Sequence, residues 1–236
     1  MTSWKQILER RLSESGAPPV LTLGELSRAA GLARETRMPD ETLHAWIRDA
    51  IARKRLEAVT RGVYLNRFVS PEGRLADAAA HVRRDAIVSL QTALDEVGLL
   101  NNPPVSVTAV VPLDSGSTRP RVGRVQTAAG TLQFHAMPRA LLEAGEIEDR
   151  LDLAQAGAHP RASPEKALLD WLYLARSPRS PVSPPALHDV DHDSLDKKRL
   201  MRLANAMKLK SALALWLSGQ FTRKLARTRP ILQNQI

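Results

Sequence analysis

The stretch Leu56-Glu57-Ala58-Val59-Thr60-Arg61-Gly62-Val63-Tyr64-Leu65 carries the reading of this chain. Two short runs of strand-forming residues flank Thr60-Arg61-Gly62, and Gly62 supplies the positive backbone dihedral that a tight connection needs. A β-hairpin is predicted there. Directly upstream, Pro39-Asp40-Glu41 opens a helix, with a proline and two acids where the helix dipole favours them. Leu43, Trp46, Ile47, Ala50 and Ile51 follow at helical spacing and predict one buried stripe. Glu41, Thr42, His44, Arg48 and Arg55 fall on the opposite face.

Further toward the N-terminus, Trp4, Ile7, Leu8 and Leu12 predict a helix over about residues 3–14. Thr22 is an N-cap for a short helix carrying Leu23, Leu26, Ala29 and Ala30 and stopping at Gly31. Residues 32–38 connect it to the third helix and contain Arg34 and Arg37. Three helices and then a hairpin is the order of a winged helix-turn-helix, whose third helix enters the major groove. Thr42, His44 and Arg48 are then expected at base edges, and Arg34, Arg37 and Arg61 at phosphates. The same order also suits a protein-interaction module, and Glu41 and Asp49 on the helix face oppose phosphate.

The charge pattern bears on that choice. The 236 residues hold 34 Lys and Arg against 25 Asp and Glu, a net charge of +9. Residues 1–75 are net +4, residues 76–180 net −1 and residues 181–236 net +6, with no acid from Lys197 onward. Two basic ends flank a neutral middle, and polyanions are the first candidate partners. Arg outnumbers Lys 26 to 8, so part of the excess is ascribable to GC-rich coding. The absence of cysteine excludes disulfides, Cys-ligated zinc, iron–sulfur clusters and thiol nucleophiles.

Beyond a break at Ser70-Pro71-Glu72-Gly73, residues 75–84 and 87–98 read as helices. Val105 to Val111 reads as a central strand, and 122–127 with 131–136 as a hairpin around Ala128-Ala129-Gly130. Ser163 caps a helix with Pro164 at its first position and a buried face of Ala167, Leu168, Trp171 and Leu172. Lys166 and Asp170 on that helix read as an exposed pair worth a few tenths of a kcal/mol. The Pro/Ser-rich residues 177–193 read as linker-like, and 194–227 as a basic helical tail with helices at about 194–207 and 210–226. Lys197, Lys198, Arg199, Arg202, Arg223, Lys224 and Arg227 form a possible second phosphate-contacting surface. The expected fold class is α+β and helix-rich. A winged-helix domain over 1–70 precedes an α+β domain over 71–236 with a small sheet and terminal helices.

Three blocks carry a family resemblance: Arg61-Gly62-Val63-Tyr64 in the hairpin, Ser89-Leu90-Gln91-Thr92-Ala93-Leu94-Asp95-Glu96-Val97-Gly98-Leu99, and Ser163-Pro164-Glu165-Lys166-Ala167-Leu168-Leu169-Asp170. In that order they resemble the AbiEi family, antitoxins and autoregulators of bacterial abortive-infection toxin–antitoxin systems. The resemblance implies an N-terminal winged helix that binds operator DNA at inverted repeats upstream of its own gene and represses its operon. It also implies a C-terminal domain that counteracts a nucleotidyltransferase-like toxin, a type IV arrangement without a stable complex. It carries over no catalytic residue.

The remaining motifs point to no reaction. His188-Asp189-Val190-Asp191-His192-Asp193 holds metal-ligating types, but its place between prolines and a helix predicts a mobile acidic loop and N-cap. Phosphate-cradling and nucleophile-elbow motifs are absent, and His135 reads as a partly buried structural residue. The expectation is a non-enzyme with no cofactor and no metal. Met1 to Gln6 does not open a signal peptide, and the longest strongly apolar run, Ala212 to Leu217, is far short of a membrane span, so a cytoplasmic location is expected. A winged-helix regulator unrelated to a toxin, or a protein-interaction module, are the alternatives.

Overall fold

The computed structural model describes residues 3–36, 38–114, 120–144, 159–178 and 180–221. The chain is α+β, with two small sheets and helices packed around them. Its first elements are α1 (Trp4–Leu12), β1 (Val20–Thr22), α2 (Leu23–Arg34), α3 (Asp40–Ala52), β2 (Leu56–Thr60) and β3 (Val63–Asn66). Ser3 and Thr22 each close a capping box, with Gln6 and with Glu25, so both early helices start where two orphan amides find side-chain acceptors. Helix α2 does not stop at Gly31. It runs to Arg34, and Glu35 takes the left-handed cap at φ 60°. Helix α3 buries Leu43, Trp46, Ile47 and Ala50 as the periodicity predicts.

The hairpin pairs β2 with β3 through a bulge between Ala58 and Thr60, and Gly62 turns it at φ 77°. Strand β1, three residues long, adds to β3 and gives the order β1-β3-β2. The fully buried Asn66 locks this unit. Its amide donates to Leu12 O and Pro18 O at 3.0 Å each, and its Oδ1 accepts from Phe68 N at 3.0 Å. Gly73 completes the closure, because a Cβ there would sit 2.0 Å from Pro19 O.

A 3-10 turn (Leu75–Ala78) leads into α4 (Ala79–Val82), β4 (Ile87–Val88), α5 (Leu90–Asp95), β5 (Val107–Leu113), β6 (Gly123–Thr127), β7 (Gly130–Pro138) and α6 (Arg139–Leu142). The sequence reading of 87–98 as one helix fails at its start. Ile87-Val88 is a short edge strand, and Ser89 breaks from it into α5. The second sheet has the order β4-β5-β7-β6, with β5 and β7 parallel and the other pairs antiparallel. After residue 159 come α7 (Pro164–Arg176), α8 (Lys197–Ala206) and α9 (Lys210–Leu217).

Strand alternation divides the core. Ala109, Val111, Leu132 and Phe134 point toward the hairpin residues Val59, Val63 and Leu65 and toward Ala76, Ala78 and Ala79. Val110 and Met137 point the other way, into a cluster with α5, α7, α8 and α9. The second sheet is therefore a middle layer between the hairpin unit and the helices.

Helix α7 is the most buried element. Its Lys166 and Asp170 are 1% and 0% exposed, so the expected surface pair is instead an internal ion pair. Ser89 Oγ donates to Asp170 Oδ2 at 2.8 Å, and Thr108 Oγ1 donates to Ser89 O at 2.6 Å, which fastens α5, β5 and α7 together. Burial pushes the Asp170 carboxyl upward, against the pull of the Lys166 charge and the hydrogen bonds from Lys166 and Ser89.

A second buried cluster joins the 3-10 turn to the end of α5. His159 Nδ1 lies 2.6 Å from Asp77 Oδ1, and Nε2 lies 3.3 Å from Glu96 Oε2, in ion-pair range but off the line of a hydrogen bond. Arg74 and Arg161 reach Glu96 at 3.3 and 3.1 Å. Burial disfavours charge at His159, but the hydrogen bond and charge of the two carboxylates outweigh it and raise its pKa. The same partners hold Asp77 and Glu96 below their ordinary values despite burial.

The Pro/Ser-rich stretch is packed rather than free. Val182 and Val190 are buried, and the indoles of Trp171 and Trp216 donate to Ser183 O and Pro185 O at 2.7 and 2.8 Å. The expected mobile loop at 188–193 is also fastened. Asn101 N donates to Asp189 O at 2.9 Å, Asn102 Nδ2 donates to Asp189 Oδ1 at 2.7 Å, and His192 meets the edge of Trp216. Asp196, outside that loop, caps α8. Among the described residues no helix is long and apolar enough to cross a membrane.

Candidate nucleic-acid interface

The buried stripe of α3 fixes what the helix shows to solvent. At about 100° per residue, the face opposite Leu43, Trp46, Ile47 and Ala50 centres on Glu41, Ala45, Arg48 and Ala52. Arg48 is exposed near the middle of that face, and no described residue forms an ion pair with it. His44 lies one turn earlier on one flank. Thr42 is exposed on the other flank, about 160° around the helix from His44. The three expected base-contacting residues thus share one helix, but only Arg48 sits at its outer pole.

The acids on this face differ in their state. Asp49 Oδ2 accepts from Arg53 Nη2 at 2.8 Å, and the same nitrogen donates to Glu9 Oε1 at 3.0 Å. Arg53 therefore pairs with the acid on one flank of this face, and it also staples α3 to α1. Asp40 and Glu41 stay exposed in the first turn, where the helix dipole favours them.

Arg61 is exposed at the hairpin tip, and Leu23 N donates to Gly62 O at 2.8 Å, so the tip is tied to the start of α2. Arg34 is exposed at the other end of α2. Arg37 lies outside the described residues. Further exposed cations of the unit that were not singled out from sequence include Lys5, Arg10 and Arg11 on α1, Arg28 on α2 and Lys54 just past α3, at φ 56°. The signal for Lys54 was in plain view as Arg53-Lys54-Arg55. What sorts these three is geometry: Arg53 is held by acids, and Arg55 lies 4.6 Å over the Phe68 ring.

The tail surface is less cationic than its sequence suggests. Lys197 is 3.5 Å from Asp193, and Arg199 is 3.7 Å from the buried Glu165. Lys198 and Arg202 are exposed on α8. The helix expected over 210–226 ends at Leu217, with Gly219 at φ 69° just past it, and Arg223, Lys224 and Arg227 lie outside the described residues. Among the described residues no group of three His, Asp or Glu side chains is placed to hold a metal ion. No protein-family model matches the chain, and no curated protein matches it.

Proposed function

We propose that residues 3–68 act as a winged helix that reads operator DNA with α3 and grips the backbone with the hairpin tip. One observation carries this reading. The outward pole of α3 presents an exposed Arg48, and the flanking Asp49 is paired within the unit by Arg53, which leaves Glu41, two turns toward the N-terminus, as the acid on that pole. An arginine so placed suits bidentate contact with guanine, worth about 1–3 kcal/mol of discrimination. Arg34 and Arg61 are the phosphate contacts, and they position the helix without reading sequence.

The chain is then an antitoxin-type autoregulator of the AbiEi kind, repressing its own operon and counteracting a nucleotidyltransferase-like toxin without a stable complex. Support for this step is the order of the three sequence blocks. In the structure Gly62 turns the hairpin, while Ser89, Lys166 and Asp170 meet inside the protein, so these motif positions have a folding role. Electrophoretic mobility shifts with the DNA upstream of the gene test the reading. It expects binding that is tight relative to scrambled DNA at about 150 mM salt and that weakens steeply as salt rises. Equal affinity for both DNAs would remove the repressor function.

A further inference from the structure

Helix α7 covers the helix-side face of the second sheet only in part. At its C-terminal turn, the floor formed by β7 stays open beside Tyr173, Leu174 and Ser177, and a cavity of about 650 Å³ results. That volume is in the range of small-molecule sites. Gln133 and His135 occupy alternate positions of β7 on the same face as Met137, and they form the polar part of the floor. None of the described residues lining the cavity is charged.

His135 is the informative residue. It is nine-tenths buried at 9% exposure, and no described residue hydrogen-bonds to it. Its nitrogens are not sealed among the buried unpartnered atoms, so they are wetted from the cavity side. Burial lowers its pKa, which leaves the ring neutral with one donor and one acceptor. An imidazole held at that depth without a protein partner takes its hydrogen bonds from whatever occupies the cavity, water or ligand. The Gln133 amide and the Tyr173 hydroxyl also lack partners among the described residues and line the same space.

We propose that this groove binds a small, uncharged aromatic heterocycle, whose donor–acceptor edge pairs with His135 and Gln133 while its ring packs against Leu113 and Leu174. An uncharged ligand matches the neutral polar groups that the described residues present. The function proposed above does not depend on this site.

Calorimetric titration of the full chain with 7-azaindole, using indole as the matched probe lacking the ring acceptor, tests the idea. The expectation is saturable 7-azaindole binding at least tenfold tighter than indole. His135→Phe and Gln133→Leu should each weaken 7-azaindole at least tenfold, and the one that removes the partner of the ring acceptor should leave indole unchanged. The half-buried position of Gln133 keeps the test open if His135→Phe does not fold. Absent binding, equal affinity for the two probes, or an unaltered Gln133→Leu variant each overturns the proposal.

Discussion

Lys166 shows what charge alone hides at the scale of single residues. Lys and Asp four apart on a helix are ordinarily a solvated pair, and nothing local marks this one as internal. The partner that closes it, Ser89, is 81 residues upstream. Lys166→Met leaves a buried carboxylate without its counter-charge and should cost about 3–5 kcal/mol in urea unfolding. The double variant Lys166→Met/Asp170→Leu should recover most of that loss, and a single variant within about 1 kcal/mol of the wild type refutes the buried-pair account. His159 makes a pH prediction. Its pKa is raised from 6.5, so its stabilising contribution is full below 6.5 and disappears as pH rises through the elevated folded value. Asp77 and Glu96 are depressed from 3.8 and 4.5, so their contribution is present above those values and lost as pH falls through the lowered ones. Melting temperatures across this range should decline on the alkaline side for the wild type and stay level there for His159→Gln. Parallel alkaline slopes in the two proteins would exclude His159 as the titrating group.

Among the elements, strongly periodic helices and the hairpin were legible, because each has one buried face and a clear turn. Strands β2 and β3 fall within a residue or so of their expected ends, and α3 starts as expected but stops at Ala52, so Arg55, expected on its polar face, lies past the helix and packs over Phe68. Strands β1 and β4 were not legible. They are three and two residues long, and only pairing across the fold makes them strands. Gly31 misled for a different reason. It sits in α2 with room around it, and the αL cap that ends the helix belongs to Glu35. The hairpin tip yields the prediction at this scale. Arg61→Ala should weaken binding to every DNA sequence by about the same factor and reduce the slope of log affinity against log salt by about 1. A loss confined to the operator would make Arg61 a base-reading residue and contradict its assignment to the backbone.

Across the whole molecule, the second sheet links what the sequence divides. A boundary near residue 70 follows from the Ser70-Pro71 break, yet Val59, Val63 and Leu65 of the hairpin share a core with Ala109, Val111, Leu132 and Phe134. Strand β5 could not announce this, because Ala109, Val110 and Val111 make both of its faces apolar. A fragment ending at residue 70 would expose that hairpin face, and burial is worth about 25 cal/mol per Å². It should therefore melt at a lower temperature than the full chain, as read by circular dichroism; an unchanged melting temperature would show the hairpin unit to be independent. The candidate site was legible as a set of residue types on α3, but not in its electrostatics, since the Arg53 link to Asp49 and Glu9 spans two helices. The central claim is that Arg48, at the pole of α3, reads sequence. Its most direct measurement is the ratio of affinities for the upstream fragment and for scrambled DNA, wild type against Arg48→Ala, at one fixed salt concentration. The account predicts that the ratio falls about tenfold while affinity for scrambled DNA changes far less. An unchanged ratio would contradict it.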